Sequence, residues 1–436
     1  MSEAETLLER FKDEYSQFPF VVIGSLTLAI LRRDRPFLLI AILATTTHQR
    51  ANLHKVLESE FRTILGTKVF VDGVFNVDLL QGLVVYLSWW HFHRRQANQI
   101  FTITQTAVTI ALDLAETVTL NAEWKRLYLG TYLLSSCILF ALGRTPVMKY
   151  DDIIDRYCRG LATQEDVPTD LPLVHAVRLH RLVVLITSAF GRKSHRPFEL
   201  SEGTTELLID SFKSQLQDLR STLRLDDSSI PSLGLMYDSA YVFLYEVALY
   251  TNFQGSETAA PDHQSLGTTH NSQILETSLL FNCLEATKNF LSRYLRLSGQ
   301  LIRKHSMCEK AQLGHAIMVL IKLSLCATGS HEGLRFRQTC DVKYFLDALA
   351  NRAATLTAAT LGTTEYPDCF WQFEQTIRRI KCWYEHLETG QQGATPTDFI
   401  DASPLRLVSL SEEFLQETPS FNDLDLTMFN SADFWQ

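Results

Sequence analysis

Apolar residues return every three or four positions along almost the whole of this chain, and runs that alternate apolar with polar residues are almost absent. A helix with one apolar stripe can bury it only against another element, so this spacing commits the chain to helix-on-helix packing. The expectation is an all-α, multi-helix fold. The pattern opens at Ser2-Glu-Ala-Glu5, a capping box in which the Ser hydroxyl and the Glu carboxylate meet exposed backbone donors at a helix start. Leu7, Leu8, Phe11 and Tyr15 then share one face, and the Phe18-Pro19 pair is expected to end that helix. Further helices are expected at about 35–48, 51–66, 78–92, 97–115, 121–142, 150–161, 173–190, 204–223, 233–250, 273–296, 308–326, 342–361 and 366–387. In the fifth of these, Trp124, Leu127, Leu133, Leu134 and Ile138 need cover on more than one face, which places that helix in the core.

Three segments interrupt the series: 192–201, 254–272 and 389–404, rich in Gly, Ser, Thr, Gln and Pro. Such compositions bury too little apolar surface to offset the entropy of ordering. The first two are expected to be loops inside one all-helical domain spanning 1–388, and the third a linker to a distinct tail at 405–436.

With 436 residues, 46% hydrophobic and 20% charged, the chain has material for a large core. Eight scattered cysteines and no secretory leader point to a reducing compartment with free, mostly buried thiols. The apolar stretches 21–31, 36–44 and 127–142 are shorter than the roughly 20 residues that span a bilayer, so no membrane association is expected. A net charge of −9 argues against binding the phosphate backbone of nucleic acid by this chain alone.

Four segments fall in a telling order: Glu5-Thr-Leu-Leu-Glu-Arg-Phe11, Phe18-Pro-Phe-Val21, Arg35-Pro-Phe-Leu38 and Asp78-Leu-Leu-Gln-Gly-Leu-Val-Val-Tyr86. They precede Asn121 to Gly160, where a charged entry leads into an apolar helix with a Leu-Ser-Ser step, a basic turn and a short acidic helix. This arrangement resembles the middle homology (regulatory) region of fungal zinc-cluster, or Zn2Cys6, transcription factors; from about residue 201 only helical character and length carry the likeness. Members of that family read DNA through six cysteines in two close triplets that hold two zinc ions. Cys137, Cys158, Cys283, Cys308, Cys326, Cys340, Cys369 and Cys382 include no Cys-x-x-Cys pair. The resemblance therefore implies a nuclear regulator of RNA polymerase II transcription whose DNA contact comes from a segment absent from this sequence or from a partner. It implies coactivators or the transcription machinery as partners, and a homo- or heterodimer with a related regulator. No cofactor is expected in this chain, zinc belonging only to a relative that carries the cluster. Two other readings stand beside it: an interaction protein that sequesters a full-length regulator or a coactivator, and a small-molecule receptor on the same scaffold.

The tail sets Phe421, Leu424, Leu426, Phe429, Phe434 and Trp435 among Glu412, Glu413, Glu417, Asp423, Asp425 and Asp433. Acidic-hydrophobic alternation of this kind is the composition of activation segments, whose aromatic anchors are kept in water by charge until a coactivator groove takes them up. The competing reading is a terminus whose aromatic residues dock on the parent domain. Trp89, Trp90, Tyr128, Tyr132 and Arg144 supply the residue types of a ligand pocket between helices, set against ordinary core packing. His91 and His93, two apart on an expected helix, do not share a face and are read as core or polar lining. The basic groups at 94–95, 178–181, 192–196 and 378–381 are read as solvated helix faces or ends, with 192–196 the import-signal candidate. No phosphate loop, dinucleotide turn, nucleophile elbow or His-Glu-x-x-His helix is present, and no catalytic role is expected.

Overall fold

The computed structural model of the protein describes residues 2–93, 99–117, 120–164, 167–190, 202–222, 231–249, 266–326, 336–358 and 369–388. The α-helices in chain order are α1 (Glu3–Glu14), α2 (Leu28–Asp34), α3 (Pro36–Thr46), α4 (Ala51–Gly66), α5 (Val77–Ser88), α6 (Gln99–Leu114), α7 (Ala122–Ala141), α8 (Asp152–Gln164) and α9 (Asp170–Ala189). They continue as α10 (Glu202–Thr222), α11 (Pro231–Tyr245), α12 (Leu266–Arg296), α13 (Gly299–Lys304), α14 (Met307–Cys326), α15 (Val342–Ala358) and α16 (Cys369–Glu388). A π-helical turn (Thr67–Val71) prolongs α4, and 3-10 turns follow α5 (Trp90–Phe92) and α11 (Glu246–Leu249). No strand occurs among the described residues.

α7 is the axis of the fold. It packs against α5, α6, α8, α9 and α14, and fifteen of its twenty residues are buried, including Trp124, Leu127, Leu133, Leu134 and Ile138. A helix apolar on every face must sit inside, as its sequence required. Asn121 starts it by accepting from Trp124 N at 2.8 Å, a cap worth about 1 kcal/mol. α3 and α5 are covered to a similar degree or more, and one continuous core runs from Leu8 to Tyr384. α9 is long and apolar enough to cross a membrane, a helix that the hydropathy of the sequence did not single out. In this fold 56% of its apolar window is buried, against α7, α8, α10 and α11, which is the setting of a core helix.

The capping box at Ser2 forms as expected: Glu5 N donates to Ser2 Oγ at 3.3 Å, and Ser2 N donates to Glu5 Oε2 at 2.7 Å. Other expectations need correction. α1 ends at Glu14, ahead of Phe18-Pro19, and Tyr15 and Phe18 beyond it pack on Trp89. The helix expected to run through Phe92 stops at Ser88, so His91 lies in a 3-10 turn and His93 in extended backbone beyond it. The loop expected at 254–272 is helical from Leu266. Segments 192–201 and 389–404, and the tail with its six anchors, lie outside the described residues.

Candidate functional site

The segments that stand out in the sequence converge on one region. Arg35, at the start of α3, sends Nη1 and Nη2 to the two oxygens of Glu123 on α7 at 2.5 and 3.1 Å. Gln81 of α5 joins them, donating to Glu123 Oε1 at 2.9 Å and accepting from Arg35. Burial pushes the Glu123 carboxyl up, but the hydrogen bonds from Arg35 and Gln81 outweigh it and hold the group below its usual value. Asp78, three residues before Gln81, accepts from Phe37 N at 3.0 Å and Leu38 N at 2.9 Å, so its carboxylate meets the first turn of α3, where anions are favoured. Its pKa is raised by burial, an effect only partly offset by those two amides and by Arg35.

Two glycines let these helices approach. A Cβ at Gly82 would lie 2.5 Å from Phe37 Cδ1, and one at Gly130 would lie 2.5 Å from Phe20 Cγ. Trp89 then closes the assembly, packing on Phe11, Tyr15 and Phe18 with ring centroids 5.7, 4.3 and 4.6 Å away. The Glu5–Phe11, Phe18–Val21, Arg35–Leu38 and Asp78–Tyr86 segments and the head of α7 therefore form one interlocked unit.

The five residues read as pocket lining fall into separate surroundings. Trp89 belongs to the cluster just described, and Trp90 meets Tyr86 edge-on at 5.9 Å. Tyr128 packs with Trp124 and Tyr157, whereas Tyr132 lies near Tyr150 and His180. Arg144 covers the Phe101 ring at 3.8 Å, a cation–π contact. Several buried polar atoms in this half have no hydrogen-bond partner among the described residues: Trp89 Nε1, Tyr132 OH and both ring nitrogens of His91. His305, between α13 and α14, is in the same condition, and burial lowers its pKa to about 4.

A different group is brought together with no sequence motif to announce it. His54 and Glu58, one turn apart on α4, meet His93, and one potential ligand atom from each lies within 4.8 Å of the others. All three side chains are buried. His54 Nδ1 donates to Ala44 O at 2.9 Å; Glu58 accepts from Tyr86 OH at 3.4 Å and pairs with Arg62 at 3.1 Å. The His-x-x-x-Glu spacing was the signal available in the sequence; the approach of His93 was not, since it depends on how the turn after α5 folds.

The chain is 24% identical over 417 residues to a protein named Transcription factor himD from Aspergillus japonicus, an alignment covering 88% of this chain and 67% of that one. It is 23% identical over 412 residues to Transcription factor opdL from Penicillium oxalicum, covering 86% and 70% respectively. A further protein, named Transcription factor, from Aspergillus terreus is 22% identical over 284 residues, or 64% of this chain and 43% of that one. No family profile matches the chain, and no solved structure matches it. Over most of its length, then, the chain is similar to fungal transcription factors.

Proposed function

We propose that this chain is the regulatory body of a fungal transcription regulator of the zinc-cluster type, acting in the nucleus on transcription by RNA polymerase II. The observation that carries the reading is similarity to himD and opdL across 88% and 86% of the chain. The interlocked unit around Arg35, Gln81 and Glu123 supports it, because it gives a packing reason for the segments on which the resemblance rests. In this reading DNA is reached through a partner or through sequence beyond these residues, and the tail at 405–436 recruits a coactivator. No catalytic role is assigned.

The test fuses the full chain to an unrelated DNA-binding domain. The fusion should activate a reporter, and replacing Phe429, Phe434 and Trp435 together with Ala should remove most of the activity, since aromatic anchors supply most binding free energy while exposed charges mainly steer encounter. Changing one tail carboxylate should cost little. A silent fusion that instead lowers the output of a co-expressed full-length regulator would move the assignment to a sequestering protein. Full activity in the triple variant would remove the tail from the account.

A further inference from the structure

We propose that His54, Glu58 and His93 form a binding site for one divalent transition-metal ion of the zinc class, which pins α4 to the turn that follows α5. The proposal is independent of the transcriptional reading and uses none of the cysteines.

The first support is convergence. Residues four apart on a helix lie on one face, so α4 presents His54 and Glu58 together, and His93 enters from extended backbone after the 3-10 turn. The three are 3%, 2% and 2% exposed, and a ligand atom from each lies within 4.8 Å of the other two. Closing on an ion at the usual ~2.0–2.2 Å asks each side chain to shift by about an ångström or less.

The second support is the protonation state that the surroundings impose. Ala44 O is an acceptor only, so His54 Nδ1 must carry the proton in that 2.9 Å hydrogen bond. In the neutral ring Nε2 then holds a lone pair, which is the form that ligates a metal. Orientation of a ligating imidazole by a backbone carbonyl on its other nitrogen is the usual outer-shell arrangement. His93 is held by stacking on Tyr86, whose ring lies 4.0 Å away, and Tyr86 is stacked in turn on Phe61 at 3.8 Å.

The donor set selects the class of ion. Two imidazole nitrogens and one carboxylate oxygen suit zinc and its neighbours, and leave a position for water or another oxygen; magnesium and calcium prefer oxygen throughout. Glu58 already pairs with Arg62, but that side chain is 38% exposed and has room to turn toward water when an ion takes up the carboxylate. A competing pair lies on the surface of α16, where Cys382 Sγ is 3.6 Å from His386 Nδ1.

The test uses the full chain, purified without a histidine tag and stripped with chelator, with Co2+ as the spectroscopic probe and Zn2+ as competitor. One equivalent of Co2+ should give visible ligand-field bands without a sulfur-to-metal charge-transfer band, and Zn2+ should bleach them. His93→Phe, which keeps a stacking ring, and Glu58→Gln, which keeps shape, should each weaken binding at least tenfold, whereas His386→Ala should not change it. Zn2+ just sufficient to saturate the parent should raise the parent's melting temperature and shift both site variants clearly less. Absence of stoichiometric binding by the parent overturns the proposal. So does a charge-transfer band from sulfur, or binding that is lost in His386→Ala and kept in Glu58→Gln.

Discussion

Residues 2–190 and residues 202–388 contribute to one core and both join helices through basic side chains, Arg35 and Arg126 among them in the first, but they differ in what surrounds those ties. In the first region the ties are short and leave little room. Glycines let backbone meet aromatic rings, Asp78 caps α3 from a neighbouring helix, and Arg126 of α7 grips Asp170 of α9 with two hydrogen bonds of 2.5 and 2.8 Å, both groups buried. In the second region many ties are long basic side chains reaching across helices. Arg293 bonds Asp238 at 2.5 Å, Lys381 bonds Asp347 at 2.6 Å, Lys288 reaches Thr339 O at 2.7 Å, and Arg303 reaches Leu356 O at 2.5 Å. A close glycine contact admits one residue type at one position. A lysine can find a carboxylate or carbonyl from several positions, so such ties leave a weaker trace in the sequence than a close glycine contact does.

The largest effect should come from the buried ion pair. Asp170→Asn leaves the Arg126 guanidinium buried without its counter-charge, which costs about 3–5 kcal/mol, and a matched apolar double replacement should recover most of it. Lys381→Ala in the second region, where the partners are 28% and 46% exposed, should cost less than about 1 kcal/mol. Urea unfolding measures both. Equal costs would erase the distinction between the regions.

Next in size is a pH effect centred on α9. His180 bonds Ser136 Oγ of α7 at 2.7 Å, and burial lowers its pKa to about 4. The ring is therefore neutral when folded, while in the unfolded chain it takes up a proton below about pH 6.5. Its contribution is fully present above that pH, falls as pH drops toward 4, and levels off below; at about 1.4 kcal/mol per unit the span is on the order of 3 kcal/mol. Burial, then the neighbouring Arg178, lowers His175 to about 4 as well, so it adds to the same window. Melting temperature followed from pH 7 to 4 should fall, and His180→Gln should fall less steeply. An unchanged slope would mean that His180 is not held neutral.

Much of the helical fold was legible because periodicity is local. Ala51–Gly66 matches its expected bounds, and the burial of α7 followed from apolar residues on all its faces. What escaped is either short or non-local. α2 and α13, of 7 and 6 residues, are too brief to show a repeat. α1 stops a few residues before Phe18-Pro19, where Tyr15 and Phe18 meet Trp89, a contact from far along the chain. For the candidate sites the same rule holds. His54 and Glu58 share a helical face that the sequence displays, but His93 reaches them through a turn whose 3-10 geometry no spacing rule gives. The residues read as pocket lining have different neighbours, Phe18 for Trp89 and Tyr150 for Tyr132, and spacing along the chain gives neither contact.

The finest probe of the contrast is the same substitution at two helical glycines. Gly130→Ala on α7 would gain up to about 1 kcal/mol of helix propensity in the absence of neighbours. Here the new Cβ would sit 2.5–2.8 Å from Cγ, Cβ and Cδ1 of Phe20, atoms close to the backbone that cannot swing aside. Overpacking of this kind costs about 1–3 kcal/mol, so the net change should be destabilising. Gly234→Ala on α11 meets Arg293 Nη1 at 3.3 Å, the far end of a side chain whose Nε is held by Asp238, so a shift of a few tenths of an ångström costs little but not nothing. Propensity and crowding then nearly cancel, and the change should stay within about 0.5 kcal/mol of zero. Chemical denaturation with an unchanged m-value reads both numbers, and adding Phe20→Leu to Gly130→Ala should restore part of the loss because the two sites are in contact. If Gly234→Ala proves as damaging as Gly130→Ala, helix contacts in the second region are as exacting as in the first.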